Sequence, residues 1–214
     1  MKNMNAALLK QYNAKKFTIK QRLFEFKEKW HKSDEEVFAE LAFCLCTPQS
    51  KAKSCDSAVS LLVKNRMLFS GSANEISKIL AKKVRFHNNK ARYISEARKK
   101  LLPGLKEKLL AQDVYFDIPK ARSWLVKNIK GLGLKEASHF LRNIGFFEEI
   151  AILDRHILKN LKKYRAIKSV PKNLSSKKYF EIENQMKKFS EKIKIPMHEL
   201  DLLFWSEETG EIFR

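Results

Sequence analysis

Residues 129–156 read IKGLGLKEASHFLRNIGFFEEIAILDRH. Gly131, Leu132 and Gly133 separate two amphipathic runs, so they predict a tight hairpin between two helices; glycine accepts the backbone angles such a reversal needs. The second helix starts at once, with Lys135 in its first turn. Its opening N–H groups have no partner within the helix and lie at the positive end of its dipole, a setting that suits a phosphate oxygen. Lys130 adds charge beside them. A GxG turn by itself also fits an ordinary helix–turn–helix corner.

Ala137, Phe140, Leu141 and Ile144 recur at i, i+3, i+4 and i+7 and mark the buried stripe of that second helix. The same period groups Lys135, His139 and Arg142 on the opposite face. That face is either a solvated basic surface or one that meets a polyanion. Asp154 follows the apolar run Ile150–Leu153 and precedes Ile157, Leu158 and Leu161, spaced as another amphipathic helix. Aspartate is a favoured N-cap, and a capping carboxylate is also held firmly enough for chemistry. A phosphate grip, an amine and a carboxylate are what base excision followed by attack on the sugar would need.

The rest of the chain reads as helices, with no convincing strand alternation, no internal repeat and no low-complexity tract. Residues 17–32 predict a basic amphipathic helix carrying Phe17, Leu23, Phe24 and Phe26. Ser33 and Glu36 form a capping-box pattern, followed by a face of Val37, Phe38, Leu41, Ala42 and Leu45. Thr47–Ser50 breaks that helix. Further helices are expected near 51–64, 73–82, 88–101, 105–112, 119–129, 134–144, 154–164, 176–193 and 196–208, with Pro119 suited to a first turn.

The 214 residues hold 44 Lys+Arg against 24 Asp+Glu, a formal net charge of +20. Such a field attracts polyanions. Ribosomal proteins and RNA chaperones share that excess, but 44% hydrophobic residues with few Gly and Pro indicate a substantial core here. No apolar run approaches the roughly 20 residues of a membrane span, and the start MKNMNAALLKQYNAKK lacks the apolar region of a secretory signal. A cytoplasmic protein, associated with the nucleoid through DNA, is expected. Cys44, Cys46 and Cys55 read as buried, reduced thiols, and a zinc site would need more ligands at suitable spacing. No metal ligands are therefore assigned.

The segments NIKGLGLKEASHFLRNIG and AILDRHIL closely resemble those of the archaeal-type 8-oxoguanine DNA glycosylases, in the helix-hairpin-helix superfamily that includes endonuclease III. The resemblance is strongest over residues 124–161 and extends more loosely to Arg22–Cys46, Val84–Arg98 and Leu200–Arg214. It implies an all-α, two-lobed helix-hairpin-helix fold with the active site in the interdomain cleft. One lobe would span 34–144, with the hairpin motif at about 119–144; the other would combine 1–33 with 145–214. The three cysteines are too few for the four-cysteine iron–sulfur cluster of endonuclease III relatives.

The implied activity is base excision repair by a bifunctional enzyme. It would remove 8-oxoguanine from double-stranded DNA as an N-glycosylase, then cleave the abasic site by β-elimination through a lysine Schiff base. By resemblance Lys135 is the nucleophile and Asp154 the essential carboxylate. A free lysine titrates near pH 10.4, so a lysine nucleophile needs desolvation, nearby positive charge or a helix N-terminus; Lys130, Arg142 and the helix dipole are the expected contributors. Phe86 and Trp205 would sandwich the flipped base, as such enzymes require, and Arg214 would bring its carboxylate to the pocket. Gln49 would fill the gap left by the flipped nucleotide, although CTPQS departs from the LTAN-like sequence of many members and equally fits a helix-ending Pro turn. Gly131, Gly133, Lys130, His139 and Arg142 are the further candidate DNA contacts. No organic cofactor is expected; superfamily hairpins can hold a monovalent cation through backbone carbonyls. A monomer is expected. The alternatives are a glycosylase/lyase for another oxidised base and a non-catalytic DNA-binding module.

Overall fold

The computed structural model describes residues 2–213, with side chains described from residue 6. The described residues form twelve helices and no strand. They divide into two compact units, Lys27–Phe146 and Met1–Phe26 with Phe147–Arg214.

In the unit Lys27–Phe146, α2 (Asp34–Cys46) is the central element. Ser33 and Glu36 close the expected capping box at its start. Val37, Phe38, Leu41, Ala42 and Leu45 are all buried, and so are Cys44 and Cys46. α2 packs on α3 (Ala52–Lys64), α6 (His87–Leu101), α7 (Leu105–Leu110) and α9 (Leu134–Asn143). A helix enclosed on several sides is apolar nearly all round rather than along one stripe. Asp34 also accepts from Gly104 N and Leu105 N, at 3.0 and 2.9 Å, which caps α7. α5 (Ala73–Leu80) packs on α6, and α8 (Ile118–Asn128) on α9. Pro119 lies in the first turn of α8, behind the N-cap Asp117. A short α4 (Met67–Ser70) has too few residues to show a period and was not foreseen.

α1 (Lys2–Trp30) begins well before the residue 17 expected from sequence. Its buried positions are Leu8, Tyr12, Ile19, Leu23, Phe26 and Trp30, spaced by three, four or seven residues. Phe17 and Phe24, expected on the core face, are 81% and 63% exposed. The stripe runs through Ile19 as well as the expected Leu23 and Phe26, in phase with Leu8 and Tyr12, which lie before the segment read from sequence. At the end of α1, Trp30 meets Phe146 edge-on at 4.8 Å and donates to Tyr115 Oη at 2.5 Å.

The other unit contains α10 (Arg155–Lys163), α11 (Ser176–Ile193) and α12 (Met197–Thr209) with residues of α1 up to Phe26. α12 packs against α10 and α11. Tyr12 donates to Glu199 Oε2 at 2.6 Å, tying α1 to α12. Tyr164 stacks on Phe204 at 5.3 Å. Burying each such large side chain contributes roughly 1.5–3 kcal/mol. No helix among the described residues is long and apolar enough to cross a membrane.

Candidate functional site

The hairpin forms as the glycines required. Gly131 has φ +90°, a region L residues avoid. A Cβ there would lie 2.4 Å from Cδ2 of Tyr93 on α6, so absence of a side chain lets the turn close on that ring. The Lys130 and Arg92 cations sit 6.0 and 5.6 Å from the ring centroid. Leu132 N donates to Ile129 O at 3.2 Å. Gly133 is the N-cap of α9 and offers no side-chain acceptor. The first N–H groups of α9 are thus available to an outside anion.

Lys135 projects from that first turn and its side chain is 24% exposed. Nζ lies 3.3 Å from Glu136 Oε1 and 3.5 Å from Thr47 Oγ1. Thr47 is the C-cap of α2 and donates its hydroxyl to Cys44 O at 2.8 Å. The amine is therefore held between the start of one helix and the end of another. A second lysine is close by: Lys90 lies near enough to Lys135 for the two charges to repel. Sequence reasoning missed Lys90, Thr47 and Glu136. One signal was present, since Lys90, Ile94, Ala97 and Leu101 follow a helical apolar spacing and all four are buried.

His139 and Arg142 do not share a surface with Lys135. Both are buried, at 7% and 6% exposure. His139 packs edge-on against Phe43 at 5.5 Å. Arg142 donates from Nε and Nη2 to Asn143 Oδ1 at 3.3 and 3.1 Å. Asn143 in turn donates to the buried carboxylate of Glu40, at 3.2 Å, with Lys29 3.5 Å from its other oxygen. α9 is flanked by α2 and α8, so its polar side faces protein, and a phosphate cannot reach these two residues in place.

Gln49 and Phe86 lie in loops of the same unit and both are exposed. Their φ values are +55° and +56°. Non-glycine residues held there cost roughly 1–3 kcal/mol and gather at functional sites. The Arg85 guanidinium lies 5.6 Å from the Phe86 ring centroid, and Arg85 N donates to Ser50 Oγ at 3.0 Å.

In the other unit, Asp154 is the N-cap of α10. Its Oδ1 accepts from both His156 N and Ile157 N at 2.8 Å, and Oδ2 takes no hydrogen bond from the described residues. The segment leading to it is pinned on α11: Tyr179 Oη donates to Ala151 O at 2.5 Å, and Ala151 N donates to Glu183 Oε1 at 2.7 Å. Trp205 is half-buried on α12, stacked on Phe213 at 6.1 Å. Arg214 lies outside the described residues. Among the described residues no cluster of His, Cys, Asp and Glu is arranged to hold a metal.

The family model described as 8-oxoguanine DNA glycosylase matches residues 19–195. The chain is 46% identical over 200 residues to a Fusobacterium nucleatum protein named 8-oxoguanine DNA glycosylase/AP lyase, covering 92% of this chain and 91% of that one. It is 38% identical over 197 residues to the protein of that name from Methanocaldococcus jannaschii, covering 92% and 91%. Its fold matches the crystal structure of the Methanocaldococcus jannaschii 8-oxoguanine glycosylase/lyase in complex with a 15mer DNA containing 8-oxoguanine, with a TM-score of 0.87, 34% identity and 99% of both chains covered. The 8-oxoguanine DNA glycosylase of Thermotoga maritima matches at the same TM-score, with 32% identity over the full length of both chains.

Proposed function

This chain belongs to the 8-oxoguanine DNA glycosylase family and is an 8-oxoguanine DNA glycosylase/AP lyase, and on that premise we propose that Lys135 and Asp154 carry its chemistry. The observation behind this assignment is the placement of Lys135. It is a part-exposed amine in the first turn of α9, directly after a hairpin whose free N–H groups suit a phosphate.

In its neutral form the Lys135 amine attacks C1′ of the 8-oxo-2′-deoxyguanosine unit. The C1′–N9 bond breaks, and the departing base takes up a proton as the attacking nitrogen loses one. Opening of the sugar ring gives an imine between Nζ and C1′. Removal of a C2′ proton then expels the 3′ phosphate by cleaving C3′–O, and water hydrolyses the imine to restore the amine. Asp154 stabilises the positive charge that develops on the sugar as the base leaves, through the oxygen not used in capping, and assists the proton transfers. Lysine performs the covalent step, so no organic cofactor is invoked. Gly131, Gly133 and Lys130 hold the backbone phosphate, Phe86 and Trp205 stack on the extruded base, and Gln49 fills the vacated space. The net charge of +20 supports binding to duplex DNA at the nucleoid, with the protein acting as a monomer.

The test is borohydride trapping on an end-labelled duplex with one 8-oxoguanine, comparing wild type with Lys135→Gln. A covalent adduct in wild type alone is expected. Equal trapping by both proteins would remove Lys135 from the role. Absence of an adduct in wild type on this duplex, with trapping on a preformed abasic site, would move the substrate to another lesion.

A further inference from the structure

We propose that Lys90 is a positioning residue that clamps the exposed residues Gln49 and Phe86 beside Lys135, and that this clamp serves extrusion of the damaged nucleotide. The inference rests on the functional reading above for its substrate, but not for its geometry.

Lys90 belongs to the first turn of α6 and is 4% exposed. Its ammonium donates to Cys46 O at 2.6 Å, to Pro48 O at 2.7 Å and to Ser50 Oγ at 3.0 Å. Three donated bonds use every N–H of an ammonium, whereas a neutral amine has only two. Burial acts in the opposite sense and draws Lys90 below the ordinary lysine range, with Lys135 adding to that effect. A buried cation retained against such a penalty must have its partners, and here they all lie between Cys46, the last residue of α2, and Ser50.

The loop's connections explain what the cation holds. Cys46 O belongs to the end of α2, where carbonyls lack helical partners and cations are favoured. Thr47, the next residue, touches the Lys135 amine. Pro48 and Ser50 flank Gln49, whose backbone is in the left-handed region. Ser50 Oγ accepts from Lys90 and also from Arg85 N, and Arg85 precedes Phe86, itself left-handed. One ammonium therefore fastens both strained residues and the threonine on Lys135. The pattern differs from a simple helix cap, which would need the Cys46 contact alone.

Extrusion of a base costs a few kcal/mol, least when the base is unpaired. Residues that hold the gap open and stack on the flipped base lower this cost only if they are already in place. Loss of the clamp should therefore slow excision from a paired site more than from an unpaired one.

The experiment compares wild type, Lys90→Met and Ser50→Ala in single-turnover excision of 8-oxoguanine opposite cytosine and of 8-oxoguanine in a single-nucleotide bulge. Ser50 is only half-buried in a loop, so Ser50→Ala tests the clamp without disturbing the core. Hydrogen exchange of the free proteins is followed at residues 46–51 and 84–88. The expected result is a loss of between about ten- and a hundredfold on the paired substrate for Lys90→Met. Ser50→Ala should lose less, the bulge should restore most of both losses, and exchange should quicken in both segments. Equal losses on the two substrates, or wild-type rates on the paired one, would overturn the proposal. Unchanged exchange in Ser50→Ala would also overturn it. If wild type releases no 8-oxoguanine from either substrate, the functional reading fails. The exchange data then decide the clamp alone.

Discussion

Tyr93 on α6 occupies the space that a side chain on Gly131 would need, with Cδ2 2.4 Å from the position of a Cβ. The backbone of Gly131 is also left-handed, at φ +90°. Gly131→Ala therefore meets two penalties. Adding a methyl group to a packed site costs roughly 1–3 kcal/mol, and alanine is unsuited to positive φ. The variant should unfold at lower denaturant concentration and bind lesion-containing duplex more weakly. Tyr93→Ala should relieve the steric part, so the double variant should be more stable than the sum of the single losses, as measured by urea unfolding.

Capping and chemistry can be separated at Asp154, because both backbone donors converge on Oδ1. Asparagine keeps a carbonyl oxygen in that place and is as good an N-cap as aspartate. Asp154→Asn should hold its unfolding midpoint close to wild type, yet lose at least about a hundredfold in single-turnover base release through loss of the negative charge. Asp154→Ala should lose the cap as well, about 1 kcal/mol. An Asp154→Asn protein with near-wild-type base release would leave Asp154 with a purely structural role.

The sequence carried the helical class and the placement of Lys135 and Asp154 at helix starts for one reason: local patterns report local structure. The GLG hairpin, the stripe of α9 and the caps at Ser33 and Asp154 each need only neighbours in the chain. Errors arose where a second layer of protein decides exposure. Lys135, His139 and Arg142 share a face by helical period, but α9 is flanked by α2 and α8, so two of the three are interior. Periodicity separates one face of a helix from the other but does not say which neighbours cover the polar one. Lys90 shows the converse. Its charge argued for solvent, while its place on the apolar stripe of α6 decided its burial.

Tyr179 fixes the segment that leads into Asp154 from a distance of twenty-five residues along the chain. Its buried hydroxyl donates to Ala151 O at 2.5 Å and lies 3.4 Å from Leu153 N. Tyr179→Phe leaves the Ala151 carbonyl without this donor, a loss of roughly 1–3 kcal/mol for a buried polar group. The variant should unfold earlier in a denaturant titration. Its base release should fall while borohydride trapping on a preformed abasic site falls less, as the role proposed for Asp154 in the departure of the base requires. Equal reductions in both steps would place the effect on overall folding instead.

The three cysteines should be silent in the native protein. All are fully buried. Burial pushes the Cys46 thiol up to about 12 and the Cys55 thiol up to about 11, outweighing the pull of nearby Lys90 on both. Thiolate is the reactive form, so at pH 8 only about one thiol in a thousand or fewer would be reactive at these positions even if reagent could enter. Cys55 also donates its Sγ–H to Cys46 O at 3.2 Å, the carbonyl that accepts from Lys90. Native protein treated with an aromatic disulfide reagent at pH 8 should release far less than one equivalent of chromophore over minutes. In guanidinium chloride all three should react. Lys90→Met removes the cation but not the burial, so it should leave native reactivity low over minutes; a burst of one or two thiols in that variant would mean that the loop from Cys46 to Ser50 stands open to the reagent, a larger change than the quickened exchange expected from loss of the clamp.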